Sequence, residues 1–295
     1  MTLAVALEPR GPFSLALSAR LAGDATRSFR DGVFEALVPV DGGSELVRAW
    51  QRPDGTVEAR AATDAGVEQL RFVLALEDDH SEFLRQFAGD PLLRHAVREL
   101  RGLRPVRATT VVHALLRALC GQLIESRRAR SLERRILRAT CAAGPCDYVV
   151  PPRERELGRL APAELRQLGL HARRAATLVR ICRSIDLERL RGIPSDAAAA
   201  RILRERGLGE WSTGVVFLEG LGRYDRALVG DLGLVKLCAQ LAGRRPESDA
   251  TAELLEPYGD WRGLASVYLL TGFSRGLIPL SDGSRTRRVS RAAAA

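Results

Sequence analysis

The chain reads as mainly α-helical, with a small α+β unit at its N-terminus. Three observations predict this. Alternating apolar and polar residues, with a Pro-Asp-Gly turn, are confined to roughly the first 75 residues. From Ser81 onward apolar residues recur at helical spacing and no convincing strand appears. Short Gly/Pro breaks cut that second part into helices of ordinary length.

Taken in order, Leu3 to Leu7 alternates weakly, Phe13 to Leu21 looks helical and Val33 to Val40 alternates clearly. Leu46 to Gln51 and Val57 to Ala61 flank Arg52-Pro53-Asp54-Gly55, a hairpin turn, and Val67 to Leu76 closes the unit as a helix. Helices follow at 81–88, 91–100, 108–124, 127–140, 153–158, 162–167, 171–185, 195–205, 211–221, 232–241, 248–254 and 260–272. Breaks such as Gly89-Asp90-Pro91, Pro151-Pro152 and Gly192-Ile193-Pro194 separate them. The expected division is 1–78 for the α+β domain, 79–280 for the helical core and 281–295 for a polar, basic tail predicted to be disordered.

At 295 residues the chain can bury a real core. A formal net charge of +9 and a pI near 10.1 make a polyanion the first candidate partner. Lys236 is the only lysine, so arginine also serves as ordinary surface charge and basicity alone decides nothing. The arginine-rich helix carrying Arg127, Arg128, Arg130, Arg134, Arg135 and Arg138 accordingly reads first as a solvated face. Five cysteines, Cys120, Cys141, Cys146, Cys182 and Cys238, are scattered and read as buried free thiols rather than as a metal knuckle. The histidines His80, His95, His113 and His171 show no metal spacing. No apolar run approaches the roughly 20 residues needed to cross a bilayer, and no signal peptide is evident. The expectation is a soluble, cytoplasmic monomer.

The chemistry concentrates in Arg201 to Lys236. A Leu-rich helical run reaches Gly207-Leu208-Gly209, read as a turn that only glycine takes without strain, and a second apolar helical run follows from Trp211. Backbone N–H groups at such a turn, feeding a helix N-terminus, make a site for one phosphate. The chain then loops to Gly230-Asp231, which opens another helix. Asp231 reads both as an ordinary N-cap and as a candidate reacting carboxylate.

This order of elements resembles the helix-hairpin-helix DNA glycosylases, and nearly the whole chain resembles their AlkA-type 3-methyladenine branch. Four local matches carry the resemblance: Leu119-Cys120-Gly121-Gln122-Leu123 ending a long apolar helix; Leu168-Gly169-Leu170 followed by Arg173-Arg174-Ala175; the hairpin Gly207-Leu208-Gly209-Glu210-Trp211-Ser212-Thr213; and Asp231 with Leu234 and Lys236 behind it. Trp261-Arg262 opening a late helix adds to them.

The resemblance implies that the antiparallel sheet is a TBP-like domain and that Asp231 is the catalytic acid, stabilising an oxocarbenium-like sugar as the base departs. It implies that Gly207, Leu208, Gly209, Gln122, Leu123, Ser212, Thr213, Arg173 and Arg174 face DNA, with Leu123 plugging the vacated stack. Trp211, Phe13, Tyr268 and Leu270 would wall the pocket for the extruded base. Strand-nicking relatives place a lysine where this chain has Trp211, so monofunctional base excision of alkylated purines from double-stranded DNA is implied. The protein would then associate with the nucleoid when bound. No cofactor or metal is implied, although the hairpin carbonyls could hold a monovalent cation. The four C-terminal cysteines of iron–sulfur relatives are missing. Leu270 and Glu210 depart from the family pattern. Excision of oxidised or mismatched bases, and DNA binding without catalysis, are the alternatives.

Overall fold

The computed structural model describes residues 3–20, 22–247 and 249–280; the basic tail and Leu21 lie outside them. Five antiparallel strands form one sheet: β1 (Leu3–Leu7), β2 (Arg27–Arg30), β3 (Val33–Val40), β4 (Gly43–Gln51) and β5 (Val57–Ala61), in the order β1-β5-β4-β3-β2. The short helix α1 (Leu15–Ala19) and the helix α2 (Asp64–Val73) belong to the same unit. Leu7, Phe34, Val38, Val47, Val57 and Ala59 fill one face of the sheet and pack with Leu70 and Val73 of α2. Thr63 caps α2 by accepting from Gly66 N–H, which starts this helix three residues before the predicted Val67.

β2 was not predicted, and the reason is physical. Its sequence, Arg-Ser-Phe-Arg, lacks the apolar alternation of a half-buried strand, because its first inward residue is Arg27 at 1% exposure. That guanidinium is made acceptable by its partners: the Ala22 carbonyl, the Arg107 carbonyl and the Asp24 carboxylate.

The remainder is helical: α3 (Ser81–Gln86), α4 (Arg94–Glu99), α5 (Val111–Gly121), α6 (Ser126–Thr140), α7 (Glu154–Arg159), α8 (Pro162–Gln167), α9 (Ala172–Ser184), α10 (Ser195–Leu203), α11 (Glu210–Val215), α12 (Leu232–Ala242), α13 (Ala250–Leu255) and α14 (Arg262–Ser274). Every predicted helix has a counterpart, apart from the shifts at their ends. The stretch Val216–Leu221, predicted as plain α-helix, is wound as a π-helix continuing α11. Helix α5 is apolar almost all round because it is buried all round, and it is shared by two lobes. One lobe packs α5 to α10 together with the π-helix; the other packs α3, α4 and α11 to α14.

An ionic junction joins the sheet unit to these lobes. Arg117 on α5 meets Asp24 (2.6 Å), Glu133 of α6 (3.0 Å) and Glu219 of the π-helix, and His113 bonds Glu133 at 2.8 Å. Burial acts to raise the Asp24 carboxyl, but Arg27, His113 and Arg117 outweigh it and hold the group well below the usual carboxylate range. Glu133 is lowered in the same way, burial being overcome by Arg117 and the His113 hydrogen bond. Asp24, His113 and Glu133 could offer ligand atoms within 4.8 Å of one another, a grouping that dispersed histidines in the sequence did not announce. Arg27 and Arg117 already neutralise it, so it acts as an ion-pair junction. A second set of buried arginines continues the seam: Arg107 meets Asp78, Tyr224 and the Phe72 carbonyl, and Arg104 donates to the carbonyls of Ala75, Arg10 and Pro12.

Candidate active site

Asp231 is the N-cap of α12, next to Trp211 of α11. Its Oδ1 accepts from Gly233 N–H at 2.7 Å, so the cap reading holds. Its Oδ2 accepts from the Trp211 indole N–H at 3.0 Å, a contact no cap requires. Both residues are half-buried. No arginine or lysine pairs with it among the described residues, and Lys236 stands exposed further along α12.

The hairpin between α10 and α11 is held from three sides. Gln122, at the end of α5, donates to the Gly207 carbonyl and to Ser212 Oγ, both at 3.0 Å. Thr177 and Arg180 of α9 donate to the Arg206 carbonyl at 3.2 and 2.8 Å. Glu205 pairs with Arg180 and with Arg201 (2.6 Å). The Arg206 and Gly207 carbonyls therefore already have donors. Gly207 has φ +98°, and an added Cβ would meet Thr177 Oγ1 at 2.7 Å, so glycine is required there. Gly209 is different. Its φ of −125° is open to any residue, and an added Cβ would meet nothing within 4 Å. Expecting both glycines to be demanded by the turn was wrong for this one; Gly209 leaves an open approach to the first N–H groups of α11, which have no intrahelical acceptor.

The predicted site residues separate into groups. Leu123 is 84% exposed with φ +57°, an apolar side chain presented outward beside the hairpin. Arg173 is exposed, Arg174 is half-buried, and both lie one turn before Thr177 on α9, near the hairpin side. Leu208 is half-buried against the α5–α10 lobe. Ser212 and Thr213 do not face outward. Each is 2% exposed, Ser212 accepting from Gln122 and Thr213 donating to the Gly209 carbonyl, so they brace the hairpin from within.

The pocket set divides likewise. Leu270 lies against α12: an added Cβ on Gly233 would come within 2.5 Å of its Cδ2 and 3.1 Å of Asp231 Oδ1. Tyr268 is not a pocket wall. It is fully buried, its ring 5.0 Å from Phe83 and its hydroxyl donating to the carbonyls of Leu100 (3.1 Å) and Leu103 (3.3 Å). The two residues lie about 200° apart around the helix, so they cannot share a face. Phe13 lies against the Arg104 guanidinium, 5.0 Å from its ring centre, as an anchor of the sheet junction. Glu210 is exposed in the first turn of α11.

On the arginine-rich helix, now α6, Arg135 donates to the Leu168 carbonyl and Arg138 pairs with Asp147, while Arg127, Arg128 and Arg134 point to solvent. All five cysteines are unbridged; Cys120, Cys182 and Cys238 are buried, whereas Cys141 is half-buried and Cys146 exposed, against the expectation of burial for all.

Thr177, Arg180, Glu205 and Gly233 were not singled out from the sequence, and Gly121 was read only as part of a family match, without its contact to Trp211. A hint was present in Glu205, an acid flanked by arginines just before a glycine turn. The others act only through contacts between distant segments.

No family model matches the chain. It is 27% identical over 206 residues to the DNA-3-methyladenine glycosylase of Bacillus subtilis, 66% of this chain and 67% of that protein. It is 24% identical over 284 residues, 92% of this chain, to the probable bifunctional transcriptional activator/DNA repair enzyme AlkA of Mycobacterium tuberculosis, of whose length it spans 57%. Among solved structures, the 3-methyladenine DNA-glycosylase from Archaeoglobus fulgidus matches with a TM-score of 0.80 at 19% identity, over 91% of this chain and 97% of that one. The 8-oxoguanine glycosylase/lyase of Clostridium acetobutylicum matches with 0.74 at 16% identity, over 92% and 98%. The structural likenesses establish a shared fold.

Proposed function

We propose that this chain, a relative of the AlkA-type 3-methyladenine enzymes within the helix-hairpin-helix DNA glycosylases, is a monofunctional glycosylase that removes alkylated purines from double-stranded DNA. The observation that carries the reading is the carboxylate of half-buried Asp231: unpaired with any cation among the described residues, and fixed by two N–H donors beside a braced glycine hairpin. A negative charge held there stabilises positive charge developing at C1′ of an extruded nucleotide. N3- or N7-alkylated purines are cationic and leave readily, so the site needs a carboxylate, a shaped wall and water more than a general acid. Trp211 and Leu270 flank the carboxylate as candidate walls, one aromatic and one aliphatic. The hairpin would hold a backbone phosphate through N–H groups at Gly209 and the first turn of α11, while Leu123 would fill the gap left by the extruded base.

Incubation with methylated duplex DNA should release 3-methyladenine or 7-methylguanine and leave an abasic strand that breaks only on heating or alkali. Borohydride should trap no covalent adduct, because Trp211 stands where an imine-forming lysine would be needed and an indole cannot form one. A trapped adduct would overturn the monofunctional reading. Failure to release any methylated base would overturn the substrate class.

A further inference from the structure

We propose that Trp211 is the positioning residue for the Asp231 carboxylate, and that Gly121 lacks a side chain in order to seat it. Its kinetic arm rests on the glycosylase reading above.

The Asp231 side chain has two oxygens and two anchors of different kinds. The Gly233 N–H bond to Oδ1 comes from the residue's own helix, two positions on, and by itself leaves the carboxylate free to rock about that contact. The indole N–H bond to Oδ2 comes from twenty residues earlier, on α11, and removes that freedom. The indole is itself held in place. At the last residue of α5 a Cβ added to Gly121 would lie 2.7 Å from Trp211 Cη2 and 3.5 Å from Cζ2, so the ring edge rests against bare backbone. The next residue, Gln122, clamps the Gly207 carbonyl and Ser212, the latter on the same helix as Trp211. Two consecutive residues at the end of α5 thus set the indole against the carboxylate and the hairpin against the helix bearing the indole. On the far side Leu270 packs so closely on Gly233 that the first turn of α12 has little room to shift. Both donors to Asp231 are neutral, so the carboxylate is oriented without its charge being cancelled.

The test separates a hydrogen bond from a packing ring. In Trp211→Phe an aromatic ring remains and the donor is lost. kcat for release of methylated purines should fall about tenfold or more, while KM and affinity for abasic-site duplex stay within about threefold of the unaltered protein. Gly121→Ala should produce a similar loss by pushing the indole off Oδ2. In a Trp211→Phe background, where the smaller ring leaves space for the methyl group, it should add nothing. Unaltered kcat in Trp211→Phe, or losses that multiply in the double variant, would overturn the positioning role.

A second readout does not depend on turnover. The Trp211 indole N–H resonance, assigned by its disappearance in Trp211→Phe, should move in Asp231→Ala. A resonance that stays in place would mean the bond is not made in solution and would also overturn the proposal. Movement of the resonance in a protein that releases no base would support the hydrogen bond and count against the glycosylase reading alone.

Discussion

The junction around Arg117 and the face around Asp231 are both built from charged residues, and they use charge in opposite ways. At the junction, Arg27 and Arg117 meet Asp24, Glu133 and Glu219, every charge opposed by another, with the side chains of Arg27, Asp24 and Glu133 buried and those of Arg117 and Glu219 half-buried at its edge. Among the described residues, Asp231 at the face has only N–H donors, and Arg173 and Arg174 have no ion-pair partner. A saturated network fixes the sheet unit to the helical lobes. An unsaturated one leaves charge available to a ligand. The +9 of the chain therefore says less about function than which charges remain uncancelled.

The largest expected effect lies at the junction. Arg117→Ala removes the shared partner of three carboxylates, two of them buried, and should destabilise the fold by about 3–5 kcal/mol in denaturant titration. A loss below ~1 kcal/mol would show that water reaches Asp24 and Glu133 and that the junction is not the buried network described here.

Asp231→Asn turns the comparison the other way. The amide keeps an oxygen for Gly233, loses the charge and turns its NH2 toward the Trp211 indole N–H, so stability should fall by about 1–2 kcal/mol, the scale of one lost hydrogen bond. Base release should fall by ~3 kcal/mol of transition-state stabilisation or more. Near-normal turnover by this variant would remove Asp231 from the chemistry.

The contrast also explains what could be read from the sequence. Helices 81–272 were legible because their apolar periodicity is strong and their breaks carry Gly and Pro. The hairpin and Asp231 were legible because glycine spacing and a cap acid are local signals. Strand β2 and the junction were not, since a buried Arg27 or a half-buried Arg117 looks like surface charge until its carboxylates arrive from other segments. Tyr268 was misread for a related reason: its partners, the carbonyls of Leu100 and Leu103, are more than 160 residues away in sequence. The bond from Trp211 to Asp231 is equally invisible, because twenty residues of spacing carry no angular information.

A smaller effect should appear with pH at the seam the junction extends into. His80 is buried beside Tyr224 and Trp261, and its imidazole is pushed down to about 3, by burial first and then by Arg104 and Arg107. The unfolded chain takes up a proton near pH 6.5 and the folded one does not, so stability is full above that value and falls as the solution is acidified toward 3. At pH 5 the loss should be about 2 kcal/mol, nearly all of it from His80, because Asp24 and Glu133, whose values are lowered, lose their contribution mainly as pH falls below ~5. His80→Phe should flatten the stability curve between those limits; an unchanged slope would assign it to other groups.

The finest test falls on the exposed face, at Gly209, where no charge changes at all. Because its φ is −125° and an added Cβ meets nothing within 4 Å, Gly209→Ala should fold as the unaltered protein does. Gly207→Ala should not, since φ +98° and Thr177 both oppose a side chain. If the first N–H groups of α11 receive a phosphate, the methyl at 209 stands in its path. Lesion-DNA affinity should then drop about tenfold, ~1–2 kcal/mol, the order of one charge-assisted hydrogen bond. The dependence of binding on salt should not alter, because the number of neutralised phosphates is set by cations. Arg173→Ala with Arg174→Ala should do the converse, lowering affinity and making the salt slope shallower by up to about 2. Gly209→Ala binding lesion DNA as tightly as the unaltered protein would mean that positive charge, and not the hairpin, holds the strand.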